Sequence, residues 1–240
     1  MRLCLWLLCM LAPLAAAQAE NIRLIYFPMP SLADEVDGKA VGPAVDLVKA
    51  LTDGLPVVEQ PMEMPPKRLE RTLLTEKAIA IGLGRNDRRE HLGLTWVIEL
   101  FHDDYYFVTM TGHSPIIDLD DARKIPRIAC KRGSAPADFL AEHGFTNLDN
   151  TITIRSEAIK LHEGRIDGWF GLKTYIEHTW SSLGYNPADL HWSKPVEGAA
   201  PIWIAASPQV EPAVIDTLRQ RYAALRKQGK FDSLFASLPQ

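Results

Sequence analysis

The sequence predicts an α/β fold with mostly parallel sheets. Apolar runs of strand length alternate with segments of helical period, the order that strand–helix–strand units impose. One run, Ala78 to Leu83, is compact and apolar, as a strand buried on both faces would be. No repeat, low-complexity tract or Ser/Gly-rich linker interrupts the alternation. Two lobes joined by crossing strands would need none.

Ile22 to Phe27 is the first expected strand. Pro43 to Thr52 is an expected helix, with Val45, Val48 and Leu51 on one face and Gly54 as its stop. Val57 to Gln60 is a second expected strand. Pro65 and Pro66 open a helix that continues through Leu69, Leu73 and Leu74. Strands follow at Ala78 to Leu83 and Tyr105 to Met110. Leu172 to Leu183 is an expected helix and Pro201 to Ala206 a strand. Pro212 to Gln228 carries Val214, Leu218, Tyr222 and Leu225 in helical register, with Gly229 ending it. Phe231 to Leu238 is an expected last short helix.

The stretch from Arg132 to Phe170 is the most informative. After the apolar run Ile128-Ala129-Cys130, Gly133 frees a tight turn, Ser134 can cap a helix, and Pro136 suits a first helical turn. A second helix around Ser156 to Leu161 and a second buried strand ending at Phe170 follow. A helix start after such a turn presents unbonded N–H groups, which favour an anion.

Residues 1–19 have the pattern of a secretory leader. Arg2 supplies the positive start, Leu3 to Ala17 is apolar, and Ala17-Gln18-Ala19 is a small-x-small cleavage site before Glu20. The run is short for a membrane span and is broken by Pro13. The expected mature chain is therefore exported, soluble and periplasmic. It keeps one cysteine, Cys130, so an internal disulfide is excluded and core burial must hold the fold. Cys130 in an apolar strand fits an inert thiol better than a nucleophile. The net charge is −4 for the chain and about −5 once Arg2 leaves, which argues against a nucleic-acid partner. The seven histidines are scattered without ligand spacing, so no metal or other cofactor is expected. No phosphate loop and no Gly-x-Ser-x-Gly elbow is present.

Five motifs occur in a fixed order after the leader. They are Gly42 to Leu51, Arg85-Asn86-Asp87-Arg88-Arg89-Glu90, Arg132-Gly133-Ser134, Gly164-Arg165-Ile166-Asp167-Gly168, and Leu225 to Asp232. In this order they resemble the family 3 extracellular solute-binding proteins, the periplasmic receptors of amino-acid-type import systems, over nearly the whole mature chain. The resemblance implies a two-lobed, type II periplasmic-binding-protein-like α/β fold with a ligand cleft. Lobe 1 would comprise residues 20–104 plus 204–240 and lobe 2 residues 105–203. The chain would cross near Asp103 to Tyr106 and return near Gly198 to Trp203. Hinge closure would bury a small-molecule ligand, and the partner would be an inner-membrane permease or a sensor acting on a monomer.

The same resemblance implies the contacts. Arg89 matches the arginine that grips a carboxylate, for which a guanidinium fork is well shaped; Arg85 is a second candidate. Ser134 and Ala135 would offer backbone N–H groups from the other lobe. Phe27 and Tyr26 end the first strand, where α/β sheets place ligands, and Trp96, Tyr105 and Tyr106 are further aromatic candidates. Two acids usual in amino-acid receptors are replaced, by Leu172 and by Phe27. A buried ammonium without a counter-charge is costly, so a carboxylate or another small anionic or neutral organic solute fits better than an α-amino acid. Lys173 would face solvent on its helix. An exported dehydratase-like enzyme is the alternative class, with Asp103, Asp104 and Glu59 as acids by position, and a sensory receptor without a transporter is the third.

Overall fold

The computed structural model describes residues 21–58, 60–196 and 201–229. The expected leader, Glu59, Gly198 and the closing segment Phe231 to Leu238 lie outside the described residues.

Strands and helices alternate as the sequence predicts. The first half contains β1 (Arg23–Tyr26), the hairpin β2 (Asp34–Val36) and β3 (Lys39–Val41), α1 (Pro43–Thr52), β4 (Met62–Glu63), α2 (Pro66–Thr75), β5 (Ala78–Gly84), α3 (Asp87–Glu90) and β6 (Thr95–Phe101). Next come β7 (Tyr105–Met110), α4 (Leu119–Lys124), β8 (Ile128–Lys131), α5 (Ala135–Glu142), β9 (Leu148–Thr151), α6 (Ile154–His162), β10 (Gly168–Leu172), α7 (Lys173–Ser182) and β11 (Leu190–Trp192). β12 (Ile202–Ala206) and α8 (Pro212–Lys227) close the described chain.

The strands form two five-stranded sheets, ordered β4-β1-β5-β12-β6 and β11-β7-β10-β8-β9. They are mixed rather than mostly parallel. β1 pairs in parallel with β4 and β5, and β8 with β9 and β10, but β12 runs antiparallel to both β5 and β6, and β7 to both β10 and β11. The reason is connectivity: the chain leaves the first sheet after β6 and re-enters it as β12. The paired part of this second entry begins at Ile202. Val196, the last described residue before the return, donates its N–H to the Tyr105 carbonyl at 2.8 Å.

Local chemistry explains most elements. All seven residues of β5 are buried. Pro43 starts α1, which buries Val45, Leu47, Val48 and Leu51 against the first sheet. Ser134 caps α5 by accepting from Ala137 N–H at 3.3 Å, and Thr153 caps α6 through Ser156 N–H at 3.1 Å. The strand expected at Val57 to Gln60 reduces to a single bridge between Val57 and Ile22. Pro56 and Pro61 bracket that segment and lack the N–H a ladder needs.

Gly82 in β5 has φ +80°, and a Cβ there would stand 1.8 Å from Met29 Sδ. Gly82→Ala combines left-handed strain with overpacking, so it is expected to cost about 2–3 kcal/mol. Thermal unfolding checks this; an unchanged melting temperature would mean that β1 and the loop around Met29 yield easily.

Candidate ligand-binding cleft

The two sheets present strand ends and helix starts to each other. Between them lies a small inner cavity of about 40 Å³. The first sheet contributes Phe27, Gly84 and Ile202, with Arg89 from α3. The second contributes Lys131 at the end of β8, Ser134 to Pro136 at the start of α5, Glu157 of α6, Trp169 to Leu172 of β10 and Tyr175 of α7. A wider groove of about 380 Å³ lies beside it. Asp34 and Glu63 form one bank of this groove; Arg155 and His178 form the other. Lys131 and Ile154 line both spaces and mark the neck between them.

Arg89 is 1% exposed, and the protein holds its fork. Nε donates to Glu70 Oε1 at 2.9 Å, Nη1 to the Gly84 carbonyl at 2.6 Å and Nη2 to the Gly133 carbonyl at 3.3 Å. Asn86 fixes α3 by accepting from Arg89 N–H at 2.9 Å. Glu70 also takes Arg88 Nη2 at 2.6 Å. Burial pushes the Glu70 carboxyl up, but the bonds and charges of Arg88 and Arg89 outweigh it and leave it below its ordinary value. Arg88 reaches across the cleft as well, donating to Asp138 Oδ2 of α5 at 2.8 Å, and Asn86 Nδ2 reaches the same oxygen at 3.2 Å. The Arg89–Gly133 bond is a third link between residues that serve different sheets.

Of the residues expected to meet a ligand, Arg89, Ser134, Ala135 and Phe27 stand on the cavity wall. Tyr26, Arg85 and Trp96 stand elsewhere. Successive strand residues point to opposite faces, and Tyr26 turns to donate its hydroxyl to the Asp34 carbonyl at 3.2 Å. Arg85 lies 5.4 and 5.1 Å from the rings of Trp96 and Trp203 and pairs with Glu90. The Trp96 indole N–H donates to Glu90 Oε2 at 3.2 Å, so these four residues form a cluster apart from the cavity wall. Tyr105 reaches the wall and Leu172 stands on it. Lys173 pairs with Glu177 on its own helix at 3.9 Å. The Asp103 carboxylate accepts from Thr174 N–H at 2.9 Å, which ties the first crossing to α7.

Three wall residues were not anticipated. Lys131 is 8% exposed, and burial lowers the pKa of its ammonium. Its Nζ lies 4.8 Å from the centre of the Phe27 ring and makes no hydrogen bond or ion pair among the described residues. Glu157 is 2% exposed. Burial raises its carboxyl pKa to about 8 against the pull of the Thr151 hydroxyl, which donates at 2.6 Å, and of Lys131 and the Trp169 indole. The Tyr175 hydroxyl is buried without a hydrogen-bond partner, and burial raises its pKa. A charge closing the fully buried strand Ile128-Ala129-Cys130-Lys131 is a signal a sequence reader could have used. Glu157 resembles an ordinary acid in a first helical turn, and Tyr175 an ordinary core aromatic.

No protein-family model matches the chain, and no curated relative does. Solved structures do match. A mutant of the arginine-binding protein from T. maritima superposes with a TM-score of 0.76 at 18% identity, covering 89% of this chain and 93% of that one. The fold is that of the periplasmic binding proteins. A substrate-binding protein of an ABC uptake transporter from Streptococcus pneumoniae, with bound histidine, has the same fold at TM-score 0.75 and 18% identity, over 89% and 90% of the two chains. So does a histidine kinase sensor domain described as similar to periplasmic binding proteins, at TM-score 0.78 and 16% identity, over 90% and 94%. Among the described residues of this binding-protein fold, no helix is long and apolar enough to cross a membrane, and no cluster of His, Cys, Asp and Glu could hold a metal ion.

Proposed function

We propose that this chain is an exported, monomeric solute-binding receptor of the family 3 type. It captures a small carboxylate-bearing organic solute by closing two lobes, and it hands that solute to an ABC-type importer in the inner membrane. The chain passes from one lobe to the other after Asp104 and is back in the first by Ile202. The carrying observation is the inner cavity, walled by both sheets, with Arg89 on one side and the start of α5 on the other. Such a wall suits an anion, because the positive end of a helix and cationic side chains face the same space. The fold shared with transporter substrate-binding proteins supports the same reading. Asp103 is bonded into the crossing rather than into the cavity, which favours binding over acid catalysis.

A second reading is a sensory module that presents its closed form to a membrane signalling protein. The likeness to the histidine kinase sensor domain supports it. Both readings share the cleft, so one screen tests their common part. Thermal unfolding of the protein is followed with organic acids, amino acids, polyamines and small sugars, since a ligand of the folded state raises the melting temperature. A rise with carboxylates is expected. No rise with any class would remove the receptor reading.

A further inference from the structure

We infer that Lys131 and Tyr175 are the polar anchors of the inner cavity, and that its occupant is a small monocarboxylate with an apolar body and no amine. This rests on the receptor reading above and names its ligand chemistry. The argument is a balance of donors and acceptors. The ammonium of a largely buried lysine offers three N–H donors and a buried phenol one, and closing the cleft over such donors without an acceptor is costly. Among the described residues Lys131 Nζ, which also borders the wider groove, makes no hydrogen bond or ion pair, and the buried Tyr175 hydroxyl has no hydrogen-bond partner. Arg89, by contrast, already serves Glu70, Gly84 and Gly133. Open donors on one wall call for an acceptor-rich group, and a carboxylate supplies two oxygens.

The remaining wall excludes an ammonium. Glu157 is its one carboxyl, and Oε1 of that carboxyl already accepts from Thr151. An added ammonium would be a third cation beside Arg89 and Lys131 and would bring three more N–H donors with no free acceptor to take them. Phe27, Trp169, Phe170, Leu172 and Ile202 leave apolar surface for the body of the ligand. The free space of about 40 Å³ is only a few water molecules' worth, which keeps that body small.

Isothermal titration calorimetry of the protein tests this with straight and branched monocarboxylates of about three to five carbons, the small end that the free space favours. Each is paired with its amide and with its α-amino counterpart, for example 3-methylbutanoate, 3-methylbutanamide and valine. The carboxylate is expected to bind at least tenfold more tightly than either counterpart. Lys131→Met is expected to weaken it thirtyfold or more. Tyr175→Phe is expected to weaken it three- to tenfold without lowering the melting temperature, because it removes a hydroxyl that the fold does not use. That second variant keeps the test valid should Lys131→Met fold poorly. Equal affinity of Lys131→Met and the parent would overturn the anchor, and tighter binding of the α-amino counterparts would overturn the ligand class. Binding by a different class in the thermal screen would overturn the inference while the receptor reading stood. Silence across every class would remove both.

Discussion

Arg89→Ala is expected to lower the stability of the fold by about 3–5 kcal/mol, the usual cost of breaking a buried ion pair from one side. The side chain is fully buried and bonds to Glu70, Gly84 and Gly133 at once. Its loss strips Glu70 of one of two cations and frees the carbonyls of Gly84 and Gly133 in a closed space. Arg89→Lys should recover only part of the loss, because an ammonium cannot reproduce a fork that reaches three acceptors in different directions. Urea unfolding measures the stability and calorimetry the affinity. A variant as stable as the parent but weaker in binding would show that Arg89 serves the ligand alone. A variant that loses stability and retains its carboxylate affinity when folded would place Arg89 in the scaffold.

Glu157 should make the protein less stable as the pH rises. Its carboxyl pKa is near 8 in the folded chain and about 4.3 in an unfolded one. Between these values the folded state binds more protons than the unfolded state, so stability falls from about pH 4 to about pH 8. The whole interval is worth on the order of 5 kcal/mol. The groups facing the carboxyl are Lys131 from β8, Thr151 and Asp149 from β9 and Trp169 from β10. Of these, Lys131 titrates at the alkaline end. Its lowered pKa works in the opposite sense, adding stability as it loses its proton below its ordinary value. Glu157→Gln cannot ionise, so it should match the parent near pH 4 and exceed it at pH 8 to 9. Parallel stability–pH curves for the two proteins would sink this account. The same change should flatten any loss of anion affinity above pH 8, where an ionised Glu157 would repel a carboxylate.

The fold was largely legible because its signals are local. Pro43 with Gly54, Ser134 with Pro136, and the apolar run at Ala78 mark element ends within a few residues. β6 was missed because its partner, β12, lies about a hundred residues away and supplies the pairing that its own pattern does not announce. The mixed sheets were missed for the same reason. For the cleft, the motif order brought out Arg89, Ser134, Ala135 and Phe27, all of which stand on the wall. It could not show that Arg89 is occupied by the protein, since Glu70 is nineteen residues away on another helix. Nor could it show Lys131 and Tyr175 lining one cavity, because β8 and α7 come to the same space only once the second sheet is built.

The placement of β12 also sets an order of assembly. Every strand of the second sheet lies in one unbroken segment, from Tyr105 to Trp192, whereas the first sheet needs Ile202–Ala206 between β5 and β6. During synthesis β5 and β6 therefore wait, with unpaired edges, while roughly a hundred residues are made, about 5–20 seconds of elongation. Open edges of this kind template aggregation. The nascent chain thus has a window of vulnerability that closes only when Ile202–Ala206 emerges, and the inserted segment can mature as a nested unit before the outer one is complete.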